Sequence, residues 1–142
     1  MTTDEAKAYL RQVEYLDESV SSMLEQIERM DAMSKKCTSA LTGMPRSGVG
    51  GDFTKIRDRI DEERDRCAKE AQRLLDLKVE ARERIESIQS GRSRAVLEMR
   101  YLSYMTFEKI AERMDKDVST INRWHGTALL DFCAVCNQKQ AN

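Results

Sequence analysis

Apolar side chains recur along the first 41 residues at Tyr9, Val13, Leu16, Val20, Met23, Ile27, Met30, Cys37 and Leu41, with Ser34 the single polar position in the series. The spacing alternates four and three without a break, which is the heptad seam of a coiled coil. The chain's one proline, Pro45, lies in the run Gly43-Met44-Pro45-Arg46-Ser47-Gly48-Val49-Gly50-Gly51. Such a cluster of chain-breaking residues predicts a loop, placed here at 42–52. Asp52 is positioned to cap a second long helix ending near Gln89, whose seam is Phe53, Ile56, Ile60, Glu63, Cys67, Ala71, Leu74, Leu77, Ala81, Ile85 and Ile88.

Folded back on each other, the two seams share one register. Leu41 with Phe53, Ser34 with Ile60, Ile27 with Cys67, Val20 with Leu74, Val13 with Ala81 and Tyr9 with Ile85 all have residue numbers that add to 94. Two unrelated seams have no reason to agree in this way, so an antiparallel hairpin is preferred over a parallel zipper of two chains. Each arm would be about 50 Å long at ~1.5 Å per residue. A two-helix hairpin buries only one stripe per helix, which is little stabilisation for its length. Leu10, Leu24, Met33 and Leu75 flank the seam and offer a surface for a second hairpin, giving a four-helix bundle and a homodimer or higher oligomer. The alternative is a monomer whose hairpin packs on its own C-terminal helices. Charge-dense runs such as Arg57-Asp58-Arg59 and Glu62-Glu63-Arg64-Asp65-Arg66 read as solvated helix faces carrying weak ion pairs.

Beyond the hairpin, Ser90-Gly91 breaks the second helix, with glycine just past its end. A third helix follows from about Arg92 to Ser103, with Ala95, Val96, Met99, Tyr101 and Leu102 as apolar positions. Thr106 can cap a fourth helix whose inner face is Phe107, Ile110, Ala111 and Met114. Asp115-Lys116 makes a tight turn, and Asp117 can cap a fifth helix with Val118, Ile121, Trp124, Ala128 and Leu129 facing inward. Ala111 is small where the two helices cross. Ser119, Thr120, Asn122 and Arg123 are left on the outer face, the side-chain types that read base edges and grip phosphates. This is the pattern of a helix-turn-helix. The expected organisation is therefore all-α: a long antiparallel coiled-coil hairpin at 1–90, a small three-helix helix-turn-helix domain at 91–136 and a disordered tail at 137–142.

The segment VLEMRYLSYMTFEKIAERMDKDVSTINRWHGTAL resembles the fourth region of bacterial sigma factors. The likeness rests on Arg100-Tyr101, Thr106, Ile110-Ala111, Ser119-Thr120-Ile121 and Ala128-Leu129. Two positions depart from that pattern: Asp115 stands where the turn usually has glycine, and Lys116 where it usually has an apolar residue. Aspartate tolerates the left-handed conformation, and Val118 is available to fill the gap under Lys116. The whole chain, with its LTGMPR-like loop and charged second helix, resembles small phage- and prophage-encoded transcriptional regulators of Gram-positive bacteria. That likeness implies a sequence-specific, DNA-binding regulator of phage late genes, working in the bacterial cytoplasm.

Within that reading Arg123 is the best candidate for a guanine or phosphate contact, because its fork geometry suits both. Asn122 could read adenine. Ser119 and Thr120, in the first turn of the reading helix, are candidate phosphate contacts, as are Thr106, Lys116 and the neighbouring Arg113. For each there is a plainer role: a surface ion pair for Arg123, local capping for Thr106, Ser119 and Thr120, a solvated surface for the rest. Trp124 shares a face with Ile121 and belongs to the core.

Charge limits what one copy can do. Residues 1–42 hold 5 basic and 8 acidic side chains, residues 43–91 hold 11 of each, and residues 92–142 hold 8 basic and 6 acidic. The excess of two positive charges at the DNA-reading end is small, so a lone copy would bind weakly at physiological salt. Two copies, or a protein partner such as host RNA polymerase, would make up the difference. Docking on polymerase or another regulator is the alternative function, and a DNA-packaging protein like the small subunit of a phage terminase is a third.

No enzyme motif survives inspection, and no cofactor is expected. The glycine-rich run lacks the lysine-serine ending of a phosphate-binding loop and a preceding strand. His125 is the single histidine, and Cys133-Ala134-Val135-Cys136 has the spacing of half a zinc site or a redox pair, but a second ligand pair is missing because Cys37 and Cys67 sit in the hairpin seam. No apolar run is long enough to span a membrane, and the four cysteines are expected as reduced thiols.

Overall fold

A computed structural model describes residues 1–41 and 49–141, including all side chains except those of residues 37–41 and 49–53. Its elements are α1 (Thr3–Leu41), α2 (Val49–Glu86), α3 (Gly91–Leu97) running on as a π-helical turn over Glu98–Leu102, α4 (Phe107–Met114) and α5 (Val118–Ala141). Among the described residues there is no strand, so the all-α expectation holds. The chain divides into two compact units, Asp17–Arg73 and Met1–Leu16 with Leu74–Asn142.

In the unit Asp17–Arg73, α1 buries Val20 and Ile27, while α2 buries Ile60 and Cys67. Both pairs are seven residues apart, as the heptad seam requires. Met23, Met30, Ser34, Glu63 and Ala71 between them are only half-buried. Two helices with no third layer shield the middle of their stripe and leave its alternate positions at the edge. An ion pair at 3.7 Å joins Asp31 of α1 to Arg64 of α2, one residue from the expected facing position. Arg64 is exposed and Asp31 half-buried at the helix surface, so the pair marks register more than it adds stability. The loop expected at 42–52 falls largely outside the described residues. At its far end α2 starts at Val49, so Asp52 lies inside the helix and does not cap it.

The other unit is where most of the core lies. Thr2 and Glu5 open α1 with reciprocal bonds, Thr2 N to Glu5 Oε2 at 2.9 Å and Glu5 N to Thr2 Oγ1 at 3.2 Å. This capping box satisfies two amides that a helix start otherwise leaves unpaired. From α1 come Ala6, Leu10 and Val13, from α2 Leu74, Ala81 and Ile85, and from the linker after it Ile88, all buried. The second half of α5 adds Phe132, Cys133 and Cys136. Tyr9 meets Phe132 with ring centroids 6.0 Å apart, and the Arg84 guanidinium lies 4.9 Å over the Tyr9 ring. Arg84 also donates to Cys136 Sγ at 3.7 Å.

This packing corrects three expectations. Leu10 is fully buried, so it cannot offer a surface to a second hairpin, whereas Leu24, Met33 and Leu75 are exposed. The base of the hairpin belongs to the same compact unit as the C-terminal helices, so residue 90 is no boundary. And α5 continues through residues 137–141, where a disordered tail was expected. Gln138, Lys139, Gln140 and Ala141 are good helix formers, and the N-terminal amine donates to Asn137 Oδ1 at 3.1 Å.

The junction between α2 and α3 also differs from expectation. The long helix stops at Glu86, and Ser90 is the N-cap of α3, accepting from Ser93 N at 3.3 Å. Gly91 is the first residue of α3 and has no positive φ, so it does not close α2. Backbone bonds from Ser87 N to Glu83 O and from Ile88 N to Ile85 O finish α2, and Arg94 ties down the linker beyond it by donating to the carbonyls of Ile88 and Gln89.

Candidate nucleic-acid interface

The α4–turn–α5 segment forms as its local chemistry dictates. Thr106 is extended (φ −72°, ψ 159°) and its hydroxyl accepts from Lys109 N at 3.3 Å, which starts α4. Asp115 ends α4 in the left-handed region at φ 55°, ψ 47°. Lys116 N reaches Ala111 O at 2.9 Å and Asp115 N reaches Glu112 O at 3.3 Å. These two bonds make a Schellman closure, which fixes the direction in which the chain leaves α4. Ile110, Ala111 and Ile121 then form the buried crossing of α4 and α5, with Met99, Met105, Phe107, Met114 and Trp124 half-buried around it.

The outer face of α5 brings most of the expected contact residues together. Ser119, Asn122 and Arg123 are exposed, Thr120 is half-buried, and Lys116 is exposed in the turn. Thr106 is exposed at the far end of α4, apart from this group, with its oxygen used in the cap. The hydroxyls on α5 are organised by Asp117, whose carboxylate accepts from Ser119 Oγ at 3.0 Å and from Thr120 Oγ1. These two bonds hold the Asp117 carboxyl below the usual carboxylate range. Arg123 in turn donates to Thr120 Oγ1 at 3.4 Å. With their protons given to Asp117, Ser119 and Thr120 present lone pairs outward, which suits an amino group on a base edge better than a phosphate. Asp115 and Asp117 also offset the attraction that a helix N-terminus has for anions.

Residues nearer the core depart further from expectation. Val118 is 36% exposed, so it does not fill the space under Lys116. Trp124 is half-buried, with the Arg92 guanidinium 4.7 Å over its ring. His125, absent from the expected inner face, is 7% exposed and lies 2.7 Å by Nε2 from the Tyr101 hydroxyl. Phe107 meets it edge-on at 5.0 Å. The signal was available in sequence, since His125 follows Ile121 by four and precedes Leu129 by four. Arg100 donates to Met105 O at 3.0 Å and lies 5.0 Å over the Phe107 ring. The Arg100-Tyr101 pair is therefore structural here: one residue ties down the loop before α4, the other anchors α5. Cys133 and Cys136 are both buried, and burial pushes the Cys133 thiol up.

Burial, helped by the positive charges of Lys7, Arg100 and Arg11, lowers the pKa of His125 from 6.5 to about 4. Between those two values the unfolded chain binds a proton that the folded chain refuses. The stability contributed by the neutral ring is therefore fully present above 6.5 and is lost as pH falls toward 4. A loss of about 2 kcal/mol is expected after allowing for solvent screening. Melts across that range would measure it, and His125→Gln should remove most of the difference from other titrations.

Residues 90–131 match the family model for sigma-70, region 4. No curated protein and no solved structure matches the chain. The matched stretch spans α3, the π-helical turn, α4 and the first half of α5, the elements that create the crossing and its exposed face. The C-terminal part of this chain is accordingly a sigma-70 region 4-like helix-turn-helix.

Proposed function

We propose that this chain is a sequence-specific, double-stranded-DNA-binding transcriptional regulator. The observation that carries the reading is the exposed Ser119, Asn122 and Arg123 face of α5, set on a buried α4–α5 crossing in a segment that matches sigma-70 region 4. The resemblance of the whole sequence to phage-encoded regulators supports phage late genes as its target. Within 90–131 there are 7 basic and 6 acidic side chains, so DNA binding by one copy is weak and pairing strengthens it. Leu24, Met33 and Leu75, each about half or more exposed, are among the apolar side chains available for that pairing.

Selection from a pool of random duplexes with the full-length chain tests the reading. The expected result is one enriched sequence, bound by a species of at least twice the chain mass in light scattering. Absence of any duplex binding at low salt would overturn the function. A helix-turn-helix that instead co-purifies with RNA polymerase without retaining DNA would favour the polymerase-docking alternative, in which the near-neutral charge of 90–131 carries no penalty.

A further inference from the structure

Two of the five arginines in the C-terminal helices are spent on backbone carbonyls. Arg94 donates to the carbonyls of Ile88 and Gln89, and Arg100 to Met105 O. Arg92 is different. It is exposed in the first turn of α3, and its guanidinium meets the ring face of Trp124 at 4.7 Å. An aromatic face attracts the cation but takes none of the in-plane N–H donors, which remain available to a ligand.

The position of this cation is fixed from two sides. Trp124 packs its inner part against the Ile110, Ala111 and Ile121 crossing, so the ring itself is anchored. Ser93, next to Arg92, donates to Asp131 Oδ2 of α5 at 2.6 Å and holds the first turn of α3 against that helix. Trp124 directly follows Arg123 and lies one helical turn beyond Thr120, on the flank of the exposed face. A long side chain held in this way has already lost much of the freedom that binding would otherwise remove.

We propose that Arg92 is a DNA-backbone clamp, a phosphate-binding residue outside the two helices of the motif that is held beside α5 by Trp124. The inference rests on the DNA-binding reading of α5 and adds a contact from α3 that neither the helix-turn-helix pattern nor the charge count singles out. A planar guanidinium suits two oxygens of one phosphate. In a segment with one net positive charge, a single such contact is a large share of the available attraction.

The test uses the full-length chain, Arg92→Ala and Arg92→Lys, titrated with the selected duplex and a scrambled one over a range of salt. Arg92→Ala should bind both duplexes weaker by a similar factor, about 5- to 10-fold, with the slope of log K against log salt reduced by about 1. Arg92→Lys should restore the slope but only part of the affinity, since it keeps the charge and loses the fork. Trp124 is the only tryptophan, so DNA should change the intrinsic fluorescence of the wild-type chain more than that of Arg92→Ala. Unchanged affinity and slope in Arg92→Ala would overturn the clamp while leaving the DNA reading in place. A loss confined to the selected duplex would also overturn it, because a phosphate contact carries no sequence. If the wild-type chain binds no duplex, the DNA reading fails and the clamp falls with it.

Discussion

Ile121→Ala is expected to lower stability by about 2 to 5 kcal/mol and to abolish DNA binding together with it. Ile121 is fully buried at the α4–α5 crossing, facing Ile110 and Ala111. Removing its branched side chain leaves a void that the neighbourhood cannot close, because Ala111 is already small and α4 is held at both ends. Thr106 pins its start, and the Schellman closure at Asp115 pins its end. The cost should therefore lie well above that of a surface change. Bulk helicity is a poor readout, since α1 and α2 have 39 and 38 residues and dominate the signal. Trp124 packs on the crossing and reports on it alone, so melts should be followed by its fluorescence. A fluorescence midpoint within a degree or two of wild type would contradict this account of how α5 is held.

The elements around that crossing could be read from sequence because each is fixed by chemistry within a few residues. Thr106 caps a helix start, and Asp115 accepts a left-handed conformation. Ile110, Ala111 and Ile121 fall on the helical period. The hairpin register was legible for a similar reason: two long seams constrain each other, and Asp31 meets Arg64 within one residue of the expected pairing. What failed depends on a third layer. Leu10 looks like a flanking residue when only α1 and α2 are considered, and becomes core once α5 packs on the base of the hairpin. Residues 137–141 are exposed and stay helical through their own propensity and the bond from the N-terminal amine to Asn137 Oδ1. His125 was missed because α5 first faces α4 and then, a turn later, the Tyr101 side of α3, so its inner face is wider than one stripe. Arg92 carried no signal at all, since its meaning comes from the Trp124 ring, 32 positions along the chain.

Arg123→Ala should weaken binding to the selected duplex by about 10- to 100-fold and relax specificity at one base position, the range for losing a bidentate guanidinium contact. The fold should be unaffected, because Arg123 is exposed and its contact is a 3.4 Å bond to Thr120 Oγ1. Stability is therefore expected within about 0.5 kcal/mol of wild type. The contrast with Arg92 is the informative part. A base-reading side chain changes the preference among duplexes, whereas a phosphate clamp weakens all of them equally. Arg123 also has a competitor in the free protein, since Asp117 holds Thr120 and, through it, the arginine. Binding must draw the guanidinium out of that network, so Asp117 opposes non-specific phosphate contact while leaving the helix face ready for a base edge. If Arg123→Ala left the selected sequence and its affinity unchanged, α5 would not be the reading helix. The sigma-like segment would then have to act through protein contacts alone, and co-purification of the variant with polymerase would decide that.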